Sequence, residues 1–191
     1  MLQYHCSPQN VPYAAISLQP SKCHLCCNII AAKTKTMRQQ LYQQLYRQAE
    51  SLIEGETNQT GILANITALL KSAFPERFFW VGFYIVKDNQ LLLGPFQGTV
   101  ACFRIGYGKG VCGTCWQRGE TVIVDDVEQF PGHIACSSLS RSEIVIPVKD
   151  VAGHTTAVLD IDSTELSAFD ETDRIGLERI CTLIKIEENS K

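Results

Sequence analysis

Four cysteines lie between positions 102 and 136: Cys102 in ACFRI, Cys112 and Cys115 in GKGVCGTCW, and Cys136 in GHIACSS. Thiols at this density can cross-link, hold a soft metal, pass electrons by disulfide exchange, or fill a core as small hydrophobes. Cys112 and Cys115 form a CxxC behind a glycine-rich turn. A thioredoxin-type dithiol would need a strand feeding a helix N-terminus inside a βαβ unit, and no such pattern surrounds this one. Cys112 nevertheless falls at the predicted start of a short helix, where backbone N–H groups and the helix dipole favour a thiolate. Cys115, one turn further in, is predicted to be packed. Cys102 and Cys136 stand in loop-like segments beside glycine and small residues, where chemistry tends to sit on a rigid scaffold. Spacing alone makes these candidate redox thiols and leaves open which of them meet.

Three acids stand in strand-like sequence that is otherwise apolar. In TTAVLDIDS the alternation puts Val158, Asp160 and Asp162 on one face, with Leu159 and Ile161 on the other. Glu143 shares a face with Val145 in SEIVIPV. A buried carboxylate is costly unless it has a partner or a task. Crowding three of them raises at least one pKa, which suits a general acid. The plainer alternative is that Asp160 or Asp162 caps the turn into STELSAF and points to water. Trp80 and Tyr84, four apart in WVGFY, point the same way in a strand, either as core or as an aromatic wall. His133 stands close to Cys136, where it could help ionise the thiol or serve the loop, and it is left outside the candidate site.

The other cysteines carry weaker signals. Cys181 lies on the apolar stripe of the last predicted helix and reads as a buried small hydrophobe. His5, Cys6, Cys23, His24, Cys26 and Cys27 crowd the N-terminal segment. They lack a second ligand pair at finger-like spacing, so no metal site is expected there.

The elements that must position these groups show in the hydrophobic pattern. Residues 1–35 have no sustained period and read as a weakly ordered tail, with one domain over 36–191. From Met37 a helix runs to about Glu54, with Leu41, Leu45, Ala49 and Leu52 on one face. ETNQT caps a second helix that Pro75 ends. RFFWVGFYIV and QLLLGPF form a hairpin across Asp88-Asn89, CFRI is a short strand, and VCGTCWQRG is a short helix stopped by Gly119. TVIV, SEIVIPV and TTAVLDID are further strands, and AFDETDRIGLERICTLIKIEE closes the chain as a helix. Sequential hairpins with helices gathered at the ends predict an α+β fold with an antiparallel sheet.

Composition narrows the function. The 191 residues carry a net charge of −3 and no dense basic stretch, so neither nucleic acid nor an anionic membrane is an expected partner. No apolar run is long enough to span a membrane. The opening residues lack the basic region of a secretory leader and the arginine content of a transit peptide. A cytoplasmic location is expected, with the nucleus also open to the protein in a eukaryotic cell. In that reducing setting nine cysteines argue against permanent disulfides.

WVGFY, LGPFQG, ACFRI, GKGVCGT, GHIAC, SEIVIPV and VLDIDS occur here in one order and spacing. Together, from about Met37 to about Glu188, they resemble the free methionine-(R)-sulfoxide reductases, which are single GAF domains. The resemblance implies a GAF-like antiparallel sheet of about six strands flanked by helices. It implies thiol-dependent reduction of free methionine R-sulfoxide, with Cys136 as the leading nucleophile, Cys102 as the resolving thiol and Cys112 as a further exchange partner. Cys112 stays open as an alternative nucleophile. The family's substrate contacts fall on Trp80, Tyr84, Glu143, Asp160 and Asp162. No metal, flavin or nucleotide is expected on the chain, and thioredoxin with its NADPH-dependent reductase is the expected external reductant. The exposed face of the first helix would suit a homodimer.

Two departures stand out. Cys115 occupies a place where a small or apolar residue is expected, and a disulfide with Cys112 would divert the relay. The KDVAGHTTA hairpin is one residue longer than expected, away from the site. The rival reading is a GAF module that senses a small ligand without transforming it, which would have no use for three matching thiols.

Overall fold

The structure, a computed structural model, describes residues 24–186 apart from Ala135, with side chains described from residue 32 onward. The side chains of the N-terminal Cys/His cluster lie outside the described residues, as does most of the segment read as a tail.

Helix α1 (His24–Ile53) begins well before Met37, inside that segment. Residues 32–37 are exposed, so no packing surface imposed a period on them. Periodicity starts where the helix meets the core, at Tyr42, Leu45 and Ala49. Helix α2 (Gln59–Ala73) is capped by Asn58, whose side chain accepts from the Gly61 N–H. Strands β1 (Trp80–Lys87) and β2 (Gln90–Gln97) form the expected hairpin. Asp88 and Asn89 both take positive φ, the conformation a two-residue turn needs between right-twisted strands.

Next come β3 (Arg104–Gly106), α3 (Gly110–Arg118), β4 (Val122–Val124), β5 (Ser142–Lys149), β6 (Thr155–Ser163) and α4 (Glu171–Cys181). Gly119 closes α3 in the left-handed conformation, and a capping box of Asp170 and Asp173 opens α4. The closing helix is shorter than its sequence pattern: beyond Cys181 the chain turns, yet Ile184 remains buried. The six strands make one antiparallel sheet in the order β3-β2-β1-β6-β5-β4. No helix among the described residues is long and apolar enough to cross a membrane.

The period of two sorts the strand residues onto two faces. Val81, Phe83, Ile144, Ile146, Leu159 and Ile161 pack with residues of α1, α2 and α4 in the main core. Trp80, Tyr84, Val145 and Val158 join Ile105, Val111 and Cys112 in a smaller cluster beneath α3 and the loops. Central strands β1, β5 and β6 are buried on both faces, so their sequences run almost continuously apolar. The three acids interrupt that run on the second face.

Candidate active site

The acids are placed by strand register. Across β5 and β6 Glu143 pairs with Asp162; across β1 and β6 Trp80 pairs with Asp162 and Gly82 with Asp160. Gly82 is required for the aromatic wall: a Cβ there would lie 2.2 Å from the Trp80 ring and 2.6 Å from Phe96 Cβ. With hydrogen in its place, Trp80 stacks on Phe96 at 5.3 Å between ring centroids and on Tyr84 at 6.1 Å. The Trp80 indole N–H donates to the Thr99 carbonyl at 3.0 Å, which fixes the ring. Gly113 plays the matching part on α3, where a Cβ would lie 2.4 Å from the Gly106 carbonyl oxygen. The helix can therefore press its Cys112 side against the acids.

Cys102 and Cys136 form a disulfide, with Cα atoms 5.5 Å apart. Each sits half-buried in its loop. Cys112 stays a free thiol, 97% buried, with Sγ 3.8 Å from Glu143 Oε1. The expectation that its helix N-terminus favours a thiolate is not met. Burial, then the charges of Asp160 and Glu143, push the Cys112 pKa well above that of an ordinary thiol. Two carboxylates at the thiol outweigh the dipole's half charge. Cys115 is buried too, its thiol 3.5 Å from the Val145 carbonyl, and burial raises its pKa. It packs as a small hydrophobe, unbonded to Cys112.

The acids divide their protons unevenly. Burial, then the charges of Asp160 and Asp162, push Glu143 well above the usual carboxyl range. Burial also pushes Asp160 up, to about 6, against opposing hydrogen bonds from Cys112 and Glu143. Asp162 is raised by burial and by Asp160, with the Ser140 hydroxyl working in the other direction. Burial thus favours the protonated form of Glu143, which is hydrogen-bonded to Asp160. Asp160 is 93% buried, and its Oδ1 has no hydrogen-bond partner. Glu143, Asp160 and Asp162 make no ion pair among the described residues.

Trp80, Tyr84, Cys112, Cys136, Glu143, Asp160 and Asp162 all line one cleft of about 510 Å³, counted out to its open mouth. Cys102 is tied to it through the disulfide. The alternative in which Asp160 caps a turn and faces water is excluded by its burial. The chain as a whole is similar to proteins already known. The family model described as "GAF domain" matches residues 56–186. The free methionine-R-sulfoxide reductase of Saccharomyces cerevisiae is 41% identical over 153 residues, spanning 77% of this chain and 85% of that one. The enzyme of that name from Escherichia coli is 44% identical over 141 residues, spanning 74% and 84%. The free methionine-R-sulfoxide reductase from Neisseria meningitidis, solved in complex with its substrate, superposes with a TM-score of 0.73 at 49% identity, covering 76% and 87% of the two chains.

The chain belongs to the free methionine-R-sulfoxide reductase family.

In this reductase the cleft also holds groups left outside the sequence-based candidate site. His133 lines it, with Nδ1 buried and unpartnered, and burial lowers its pKa. Its place three residues before Cys136 was the only hint. Lys109, exposed at the N-cap of α3, borders the mouth, and Ser140 faces Asp162. Neither carries a motif that sets it apart from any loop lysine or serine. Cys112, Glu143 and Asp160 each offer one donor atom within 4.8 Å of the other two.

Proposed function

We propose that the cleft binds free methionine R-sulfoxide and that Cys136 reduces it. The observation carrying this reading is a disulfide at the lip of a cleft whose floor is a carboxylate cluster with no cation among the described residues. The substrate supplies what that floor lacks. Its ammonium suits Asp160 and Asp162, and its sulfoxide oxygen suits the protonated Glu143. Its carboxylate suits Lys109 beside the first turn of α3, and its S-methyl group the wall of Trp80 and Tyr84. Recognition of both charged ends explains a preference for the free amino acid, because a peptide-bound residue has neither.

In the chemical step the Cys136 thiolate attacks the substrate sulfur while Glu143 gives its proton to the sulfoxide oxygen. The hydroxyl then passes from the substrate sulfur to Cys136 as the transient sulfur–sulfur bond breaks, which leaves a sulfenic acid on Cys136 and releases methionine. The Cys102 thiol then displaces that oxygen as water, leaving the Cys102–Cys136 disulfide. Cys136 lines the cleft and Cys102 does not, which supports these roles. Cys112 holds its proton against Glu143, which makes it the poorer first nucleophile. An external dithiol, thioredoxin recycled by its NADPH-dependent reductase, reopens the disulfide. Val100 and Phe103 on one loop and Leu139 on the other are 86%, 81% and 55% exposed, so that bond lies within reach of a docking protein.

The test is NADPH consumption in a thioredoxin-coupled assay with separate R and S epimers of free methionine sulfoxide. Oxidation is expected with the R epimer alone, and not with N-acetylmethionine sulfoxide. No consumption with either epimer, from protein whose thiols are reduced at the start, would overturn the reading in favour of a ligand sensor. Cys136→Ser is expected to lose about 10³-fold or more in turnover. Full activity in that variant would remove Cys136 from the role of nucleophile.

A further inference from the structure

We propose that the floor of this cleft is also a binding site for a thiophilic divalent cation of the zinc class, held by Cys112, Glu143 and Asp160, and that cation and methionine sulfoxide exclude one another.

The donors are close to the geometry such an ion requires. Tetrahedral zinc, with bonds of about 2.3 Å to sulfur and about 2.1 Å to oxygen, sets its ligand atoms roughly 3.4–3.6 Å apart. The Cys112 sulfur and Glu143 Oε1 are already 3.8 Å apart, and all three donor atoms lie within 4.8 Å of one another. Side-chain rotation supplies the remaining closure. The three residues are 97%, 95% and 93% buried, and each comes from a different element: α3, β5 and β6. Asp160 Oδ1, buried without any hydrogen-bond partner, is a donor atom awaiting a positive centre.

The donor set selects the ion. One thiolate with two carboxylates suits zinc, cadmium or cobalt, whereas magnesium and calcium prefer oxygen alone. Three protein ligands leave a fourth position facing the cleft, as in open zinc sites. Binding displaces the thiol proton and the proton shared by the acids. Cys102 and Cys136 are engaged in their disulfide, so this site is complete in the oxidised protein. The mutual exclusion rests on the functional reading above, in which the substrate ammonium and sulfoxide oxygen occupy the same two carboxyl groups. A zinc-class ion would therefore inhibit the reductase competitively at its substrate floor.

The probe is Co²⁺, added to metal-stripped, oxidised full-length protein while thiolate-to-cobalt charge-transfer absorption is followed in the near ultraviolet. The absorption lost in Cys112→Ser isolates this site from metal held by the N-terminal cysteines. That component is expected to saturate at one equivalent, to be displaced by Zn²⁺ and not by Mg²⁺, and to fade on titration with methionine R-sulfoxide. Glu143→Gln and Asp160→Asn should each weaken it by about 10–100-fold, and unchanged near-ultraviolet circular dichroism would show that they fold. Identical cobalt spectra for the native chain and Cys112→Ser would overturn the site. A Cys112-dependent signal indifferent to methionine sulfoxide would overturn the exclusion. The epimer assay on metal-free protein tests the functional reading separately, since the cobalt signal requires no turnover.

Discussion

One buried acid and a cluster of three lie on opposite sides of the same sheet, and their surroundings differ in one respect. On the helical face Asp173 is fully buried and receives both Arg77 and Arg38. Tyr42 donates to it at 2.8 Å and the Asp170 backbone N–H at 2.9 Å. Arg77 is held in turn by the Ala168 carbonyl and lies over Phe74, Phe78 and Phe169. On the cleft face Glu143, Asp160 and Asp162 have a thiol, a hydroxyl and each other. Both sites are buried; among the described residues the counter-charge is present on one side and missing on the other. A buried acid with its own cation is finished structure, and one without is ready for a ligand that brings the cation.

The largest effect that would separate the two groups is on stability. Replacing Asp173 by Ala leaves Arg77 charged and Tyr42 without its acceptor in the packed region joining α1, α4 and the turn before β1. Breaking such a pair costs about 3–5 kcal/mol, or roughly 10 °C in Tm for a domain of this size. Thermal unfolding measures the loss. Activity per folded molecule should be unchanged, because Asp173 lies across the sheet from the cleft. A Tm shift under about 2 °C would mean that the network contributes no more than a surface pair.

Glu143→Gln should do the reverse. It removes a proton donor from a crowded set of acids while keeping shape, so Tm should hold or rise slightly. Turnover should fall by about 100-fold, equivalent to roughly 2.7 kcal/mol of transition-state stabilisation. Coupled-assay kinetics and a melting curve on the same sample decide the matter. A variant that loses stability and keeps activity would make Glu143 a structural acid like Asp173 and erase the distinction.

The cleft-side acids were more legible in the sequence than the paired one. Period-two alternation assigned Asp160, Asp162 and Val158 to one face and Leu159 and Ile161 to the other, and acids within an apolar strand draw notice by their cost alone. Trp80 and Tyr84 followed from the same rule. Asp173 gave no such signal: it sits in a helix's first turn, where acids are ordinary, and its partners stand 96 and 135 residues away. The Cys102–Cys136 pairing was equally out of reach of spacing and came only through family resemblance. Protonation of Cys112 was misjudged because a helix N-terminus shows in sequence, whereas the carboxylates packed against it belong to two distant strands. The early start of α1 was hidden for a simpler reason: over residues 32–37 the helix is exposed and needs no apolar stripe.

The smallest effect should appear in the pH dependence of stability, where the two faces carry opposite signs. Asp170 at the head of α4 is raised by burial, but its hydrogen bond from Arg38 and those from the Thr172 and Asp173 N–H groups win and draw it down to about 2. Its contribution is present above the ordinary carboxyl range near pH 4 and is lost as pH falls from there toward 2. Asp160 titrates near 6 in the folded chain and near 4 when unfolded. The folded state therefore binds the extra proton, and stability on its account falls as pH rises from about 4 to 6. Melting temperatures across pH 2–7 should rise and then bend downward. Asp160→Asn should reduce the downward limb, which Glu143 and Asp162 share, and leave the acid limb, while Arg38→Gln should flatten the acid limb and leave the other. If the downward limb is undiminished in Asp160→Asn, the strain on the cleft face resides in Glu143 or Asp162, and the ammonium of the substrate should be sought beside them instead.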